Sequence, residues 1–246
     1  TFMFGAYAGC MTYVATGNFL IALIVAFLTG AVVGWIIERT LLRRYYGNHM
    51  TQILLTTGIM TIMTELIQIP FGPHAKIAFQ PAWLQSSWIV GNITFIKYRI
   101  FVIVIGIIIA VALNMIMAKT KIGMTVRAGV QNAEMVMALG IDIKRTFSYV
   151  FVFGSALAAL GGVLMTTAVG AYDPYIGITY QMTGFMVVVI GGLGSFAGTV
   201  YASILVGLAQ SFTSYYAPDF ANAVLVLIMV IVLLIKPNGL FGRRAV

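Results

Sequence analysis

Few side chains in this sequence are placed to do chemistry. There are six acids, Glu38, Glu65, Glu134, Asp142, Asp173 and Asp219, and two histidines. His49 and His74 are separated by a whole apolar run and have no acid or cysteine at ligand spacing, so no metal site is expected. Cys10 is the single cysteine, so no intrachain disulfide forms and the redox compartment is not indicated. No G-x-x-x-x-G-K-[ST] phosphate loop occurs, and no catalytic constellation is present. What remains is the chemistry of weak binding and of docking. Glu65 is the acid nearest to lying inside a membrane, where acids default to a functional role. It stands only ~7 Å from Pro70 at the end of its run, given 1.5 Å of rise per residue, which favours an interfacial place. The run Gly191-Gly192-Leu193-Gly194-Ser195 has two readings. It is either a broken helix whose free N–H and C=O groups face a cavity, or a tight packing point or turn. Met182, Phe185 and Met186 either line an apolar path or face core or lipid.

The elements that must position these residues are set by composition. The chain has 246 residues, of which 61% are apolar and 8% charged, and its mean hydropathy is +1.02. A soluble domain carries about 25% charged residues, so this is read as an integral membrane protein. Its runs reach the ~20 residues a spanning helix needs. The net charge of +8 falls in short segments and not on one face, which argues against nucleic-acid binding and for cytoplasmic loops. No cleavable signal peptide is evident. The chain opens at Thr1 inside an apolar run without an initiator methionine, so an upstream piece is expected.

Eight apolar segments follow one another, at residues 1–15, 21–37, 53–69, 100–118, 147–170, 182–190, 197–212 and 221–235. Thr16, Gly17 and Asn18 read as a tight interfacial turn between the first two. The third run stops at Pro70, and residues 70–99, with Trp83 and Trp88, read as a loop on the membrane surface. Asn92-Ile93-Thr94 fits a glycosylation sequon, without meaning in a bacterial inner membrane. Alternate loops lie on opposite sides. One side takes Arg39, Arg43, Arg44, Lys119, Lys121, Arg127, Lys144, Arg145, Lys236, Arg243 and Arg244, while the other takes only Lys76, Lys97 and Arg99. The first side is therefore cytoplasmic and holds the C-terminus. The expected fold is an all-α polytopic membrane protein, one transmembrane domain over 1–246, with residues 180–216 forming either spans or a re-entrant hairpin.

Between the fourth and fifth runs lies the one sizeable polar segment, KTKIGMTVRAGVQNAEMVMALGIDIKR at 119–145. Val126, Val130, Ala133 and Met137 recur at helical spacing, with Arg127, Gln131 and Glu134 on another face, which predicts one amphipathic helix between Gly123 and Gly140. Gly140 is placed to end it, and Asp142 to cap the next span. Physics leaves two readings, a connector lying on lipid or a docking element.

The loop from Arg127 to Asp142 is followed by Phe151-Val-Phe-Gly154-Ser-Ala-Leu157-Ala158-Ala-Leu-Gly161-Gly162. Then come Pro174-Tyr-Ile-Gly177, the run at Gly191, and Lys236-Pro237-Asn-Gly239-Leu240. In this order the five motifs strongly resemble the permease subunits of branched-chain amino acid ABC importers. The likeness extends from the opening Phe4-Gly-Ala-Tyr7 to the end. An upstream hydrophobic segment, with the Asn-Phe-Ala-His-Gly type motif usual in the family, is missing here. The resemblance implies that Gly123, Arg127, Gln131, Asn132, Glu134, Gly140 and Asp142 dock in a cleft of an ATPase subunit. It also implies a second related permease and a periplasmic or extracellular substrate-binding protein as partners. The chain would bind no cofactor itself, ATP being used by the partner subunit, and it would sit as a multi-pass protein in a bacterial or archaeal cytoplasmic membrane. Gly191, Gly192, Gly194, Glu65 and Phe185 are the candidates for the translocation path. The alternatives are a urea or short-chain amide importer of the same superfamily, and, from another class, a secondary transporter or channel, which would need ion-binding acids at mid-membrane and an inverted repeat.

Overall fold

The computed structural model describes residues 1–42, 49–90, 93–192 and 194–241. Arg43, Arg44, Asn92, Leu193, Arg243 and Arg244, all used in the sequence reading, lie outside the described residues. The helices are α1 (Phe2–Thr16), α2 (Phe19–Thr40), α3 (His49–Phe71), α4 (Lys97–Lys119), α5 (Lys121–Gln131), α6 (Ala133–Ala138), α7 (Ile143–Val169), α8 (Ile176–Gly191), α9 (Phe196–Tyr216) and α10 (Ala221–Ile235). Short strands β1 (Lys76–Ile77), β2 (Ser87–Val90), β3 (Ile93–Ile96) and β4 (Ala171–Tyr172) lie between them. Six helices, α2, α3, α4, α7, α9 and α10, are long and apolar enough to cross a bilayer, α10 being counted with the 3₁₀ turn before it. With 15 and 16 residues, α1 and α8 are shorter. The protein is an all-α polytopic membrane protein.

The chain forms two compact units. The first comprises Thr1–Ile109 and Asn132–Gly177. Its centre is the packing of α1, α2 and α7, and small residues decide that packing. A Cβ added to Gly5 would lie 2.3 Å from the Ala159 carbonyl oxygen, and one on Gly30 2.3 Å from Ala159 Cβ. Gly9, Gly34 and Gly162 meet Val163, Ser155 and the Phe2 carbonyl as closely. Without a hydrophobic drive between helices in lipid, such close backbone approach supplies the dispersion contact that holds them. Ala6, Ala22, Ala26 and Ala159 are fully buried in the seams, while Leu20, Ile24, Leu28 and Val32 on α2 stay exposed, as lipid-facing residues do. The sequence reading of Thr16, Gly17 and Asn18 is met in detail. Gly17 ends α1 at φ 67°, and Asn18 caps α2 by accepting from the Leu20 amide at 3.1 Å.

Residues 70–99, read as a surface loop, carry short strands and the start of α4. The third run does not stop at Pro70, because α3 continues to Phe71. A proline in the last turn forfeits a single helical bond, and Gly72 still closes the helix by donating to the Gln68 carbonyl. Beyond it, β1 pairs antiparallel with β4, and β2 with β3. Tyr98 at the head of α4 is fully buried, and its hydroxyl donates to the Leu164 carbonyl at 2.9 Å, fixing that end of α4 on α7. Tyr172 on β4 is also buried, and desolvation, with the Cys10 thiol nearby, pushes its phenol up.

The second unit comprises Ala110–Gln131 and Ile178–Val246. Its core is Ile190, Ala202, Val206 and Leu225, where α8, α9 and α10 meet, with Met186, Ile228 and Met229 around them.

Candidate coupling loop and translocation residues

The polar segment folds as two helices and not one. Asn132 takes an extended conformation (φ −154°, ψ 96°), and its Oδ1 accepts from the Met135 amide at 3.0 Å, so it caps α6 and breaks the run from α5. An Asn side chain competes with the helix for backbone donors and prefers such caps. The broken period also rearranges the predicted apolar face. Val130 and Met137 are exposed, and the buried residues of the segment are Gly123, Gly129, Val136 and Ile143.

Within the first unit, Gly140 ends the second helix of the segment at φ 81°, and Asp142 caps α7 by accepting from the Arg145 amide at 3.1 Å. Its other carboxylate oxygen pairs with Arg145 Nε at 2.8 Å, an exposed pair of small energetic weight. Asn132, Glu134, Gly140 and Asp142 are all exposed, in company with Met135, Leu139 and Ile141.

Within the second unit, Gly123 sits in the first turn of α5, directly after α4 ends. A Cβ there would lie 2.3 Å from the Met117 carbonyl oxygen, so only glycine allows the turn to close. Its amide donates to Thr120 Oγ1 at 3.2 Å. Arg127 Nε donates to the Gly123 carbonyl at 3.3 Å, which lays the side chain along α5 while the residue remains exposed, as Gln131 does.

The glycine run after α8 is a packing turn. Gly192 and Gly194 have φ of 100° and 84°. The Ile190 carbonyl accepts from the Leu240 amide at 2.9 Å and the Gly191 carbonyl from the Phe241 amide at 3.2 Å, so the closing Lys-Pro-Asn-Gly-Leu motif docks on the glycine run. Phe241 also stacks on Tyr201 of α9 at 5.4 Å. Ser195 caps α9 by accepting from the Gly198 amide at 3.2 Å. The Gly192 carbonyl accepts from the Ser195 amide, so each of these three carbonyls has a backbone partner. Gly194 also lies beside α5, an added Cβ falling 3.9 Å from Val130, so two motifs far apart in sequence meet here.

Of the other candidates, Glu65 is exposed on α3, one turn from Gln68, whose amide donates to the Tyr175 hydroxyl at 2.9 Å. Phe185 and Met182 are exposed on α8. His74 is exposed, and among the described residues no three metal-ligating side chains come together. One residue was missed. Glu38, given no role by the sequence, is 3% exposed, and Ser148 Oγ of α7 donates to its Oε1.

The described residues form a helical, polytopic membrane protein with an exposed polar segment at 119–145. A profile described as "Branched-chain amino acid transport system / permease component" matches residues 1–233, and the chain belongs to this family. It is 27% identical to the high-affinity branched-chain amino acid transport permease LivH of Escherichia coli, over all of this chain and 84% of that protein. It is 26% identical to BraD, a permease of the same description from Pseudomonas aeruginosa, over 92% and 76% of the two chains. The ribose import permease RbsC of Haemophilus influenzae is 25% identical over 92% of this chain and 72% of its own. No solved structure matches. The protein is a permease subunit, a multi-pass protein of the cytoplasmic membrane.

Proposed function

We propose that this chain is one of two related permease subunits in a binding-protein-dependent importer, with ATP hydrolysed on separate ATPase subunits and branched-chain amino acids as the cargo. All eight apolar helices cross the membrane, the C-terminus is cytoplasmic, and the segment 119–145 docks on the ATPase. The observation that carries the docking role is the exposure of Arg127, Gln131, Asn132, Glu134, Gly140 and Asp142 together with apolar Met135 and Leu139, on a segment braced by Gly123 and by the Asp142 cap. Charged and apolar groups interleaved in this way suit a protein cleft better than lipid.

The eight-crossing topology is supported by contacts inside each unit. In that topology residues 76–77 and 171–172 share the outer side, and β1 and β4 pair. Gly194 and Val130 share the inner side and approach each other, as do the Ile190 carbonyl and the Leu240 amide. The short α8, about 24 Å long at 1.5 Å per residue, spans with local thinning of the bilayer. Phe185 and Met182, exposed apolar side chains on α8, face a path shared with the second permease, and Glu65 lies near the outer mouth. Gly191, Gly192 and Gly194 act by shaping the turn that bears on α5.

The test is reconstitution with ATPase and binding proteins in proteoliposomes, measuring ATP-dependent uptake of leucine, urea and ribose. Leucine uptake is expected. Urea or ribose uptake in its place would move the cargo to the amide or sugar class, the latter favoured by the likeness to the ribose permease. Arg127→Ala with Glu134→Ala is expected to abolish ATPase co-purification. Uptake driven by an ion gradient without ATP would overturn the importer reading.

A further inference from the structure

The residue that the reading above leaves unused is Glu38. It stands three residues from the end of α2, and its neighbour Arg39 is directed outward, the guanidinium 5.2 Å from the centre of the Trp35 ring. Glu38 turns the other way. With 3% of its surface exposed it is the one charged side chain among the buried residues described, and Ser148 Oγ donates to it. Burial of a carboxylate is costly unless it is paired or hydrogen-bonded, and here one bond runs from α7 to α2 across their seam.

Its position on α2 is regular. Gly30, Gly34 and Glu38 follow at four-residue spacing and so lie on one face. Gly30 rests on Ala159 and Gly34 on Ser155 of α7, and Glu38 meets Ser148 further towards the same end of that helix. The two glycines bring the backbones together without fixing a register, because a smooth seam can slide or rotate. The directional bond from Ser148 to Glu38 is what sets it. Ser148 also lies six residues after Asp142, about 9 Å along the helix, and Asp142 begins α7 at the point where the polar segment enters it. Ser148 Oγ sits within reach of the Lys144 carbonyl as well, at 2.9 Å, so it has a second acceptor on its own helix to turn to if α7 moves relative to α2.

We propose that Glu38 and Ser148 form a positioning pair that passes movement of the segment 119–145 from the first turns of α7 to α2. The pair touches neither cargo nor nucleotide. The proposal rests on the importer reading, since it needs an ATPase docked on that segment, and it adds the place where the motion enters the helices. When the bond is intact, α2 follows α7. Without it, α7 moves against the smooth glycine seam and hydrolysis runs with less transport.

The experiment uses the reconstituted complex and reads ATP hydrolysis and leucine uptake on the same proteoliposomes. Ser148→Ala, which removes one hydroxyl and is compatible with helix formation, is expected to leave ATPase co-purification and hydrolysis within about twofold. Uptake per ATP is expected to fall about tenfold, the scale of one hydrogen bond to a charged acceptor. Glu38→Ala should do the same, Glu38→Gln should recover most of the loss because the amide carbonyl still accepts from Ser148, and Ser148→Ala with Glu38→Ala should be no worse than the poorer single variant. Unchanged uptake per ATP in Ser148→Ala would overturn the proposal while leaving the importer reading in place, and so would a proportional fall of hydrolysis and uptake together. Absence of ATP-driven uptake in the unaltered complex would instead remove the importer reading, whatever the variants do.

Discussion

Gly5→Ala should destabilise the protein although alanine is the better helix former. The three atoms nearest an added Cβ at Gly5 are the oxygen, Cα and carbonyl carbon of Ala159, at 2.3, 2.4 and 2.5 Å. Carbon contacts are comfortable at about 3.5 Å or more, so the shortfall is about 1 Å against backbone that cannot rotate away. The methyl therefore has to push α1 off α7. That movement also loosens Gly9 against Val163 and Cys10 against Thr166, whose Sγ and Oγ1 lie 3.7 Å apart. Overpacking of this kind costs about 1–3 kcal/mol. Gly106 is the internal control. It lies inside α4 with nothing within 4 Å of an added Cβ, so Gly106→Ala should gain about 0.5–1 kcal/mol from helix propensity alone. For a chain of this length each kcal/mol moves the melting point by about 2–4 °C. Thermal unfolding of purified protein in detergent, followed by tryptophan fluorescence, should therefore show Gly5→Ala melting several degrees below the unaltered protein and Gly106→Ala slightly above it. If Gly5→Ala melts with the unaltered protein, or if the two variants fall together, the close-packed seam does not hold the unit.

Two further outcomes follow from single atoms. Tyr7 is buried against Phe71 and Tyr172, and its hydroxyl has no hydrogen-bond partner among the described residues. Tyr7→Phe removes a buried group that gains nothing from its surroundings and should raise the melting point by a few degrees without lowering uptake; a drop in stability would show that the hydroxyl is satisfied. Gly239 has φ 79°, and a Cβ there would lie 2.4 Å from Gly192 Cα. Gly239→Ala should release the closing motif from the turn after α8, the left-handed conformation alone costing an alanine about 1–2 kcal/mol. Hydrogen exchange at the Leu240 and Phe241 amides should then accelerate by about tenfold or more, and unchanged protection would refute the docking of the two motifs.

The helices were legible because lipid imposes a coarse rule, that long apolar runs must satisfy their own backbone. Asp142 and the turn at Gly17 were legible for a local reason, since caps and left-handed glycines depend on one or two residues. The break at Asn132 was not read, although Asn followed by Ala and Glu is a cap signal, because the apolar period on either side of it agrees with one continuous helix. The strands β2 and β3 flank Gly91-Asn92, a turn-type pair between residues rich in β-branched and aromatic types, and this signal was passed over in favour of the prolines nearby. Glu38 shows a different limit. Its place near Arg39 gives its depth along the helix but not its azimuth, and only the four-residue spacing from Gly30 and Gly34 puts it on the packed face.

That spacing separates two uses of glycine that composition merges. In the first unit Gly5, Gly9, Gly30, Gly34 and Gly162 are helical, and each is needed for what a side chain would strike. In the second unit Gly192, Gly194 and Gly239 are needed for positive φ, which lets a turn and a terminal segment close on each other beside α5. The same residue type thus makes a close-packed helix seam in one unit and a tight turn next to Val130 in the other. On the docking reading proposed above, the segment presents exposed residues to a partner and need not be one regular helix. On that ground the break at Asn132 is compatible with a docking role.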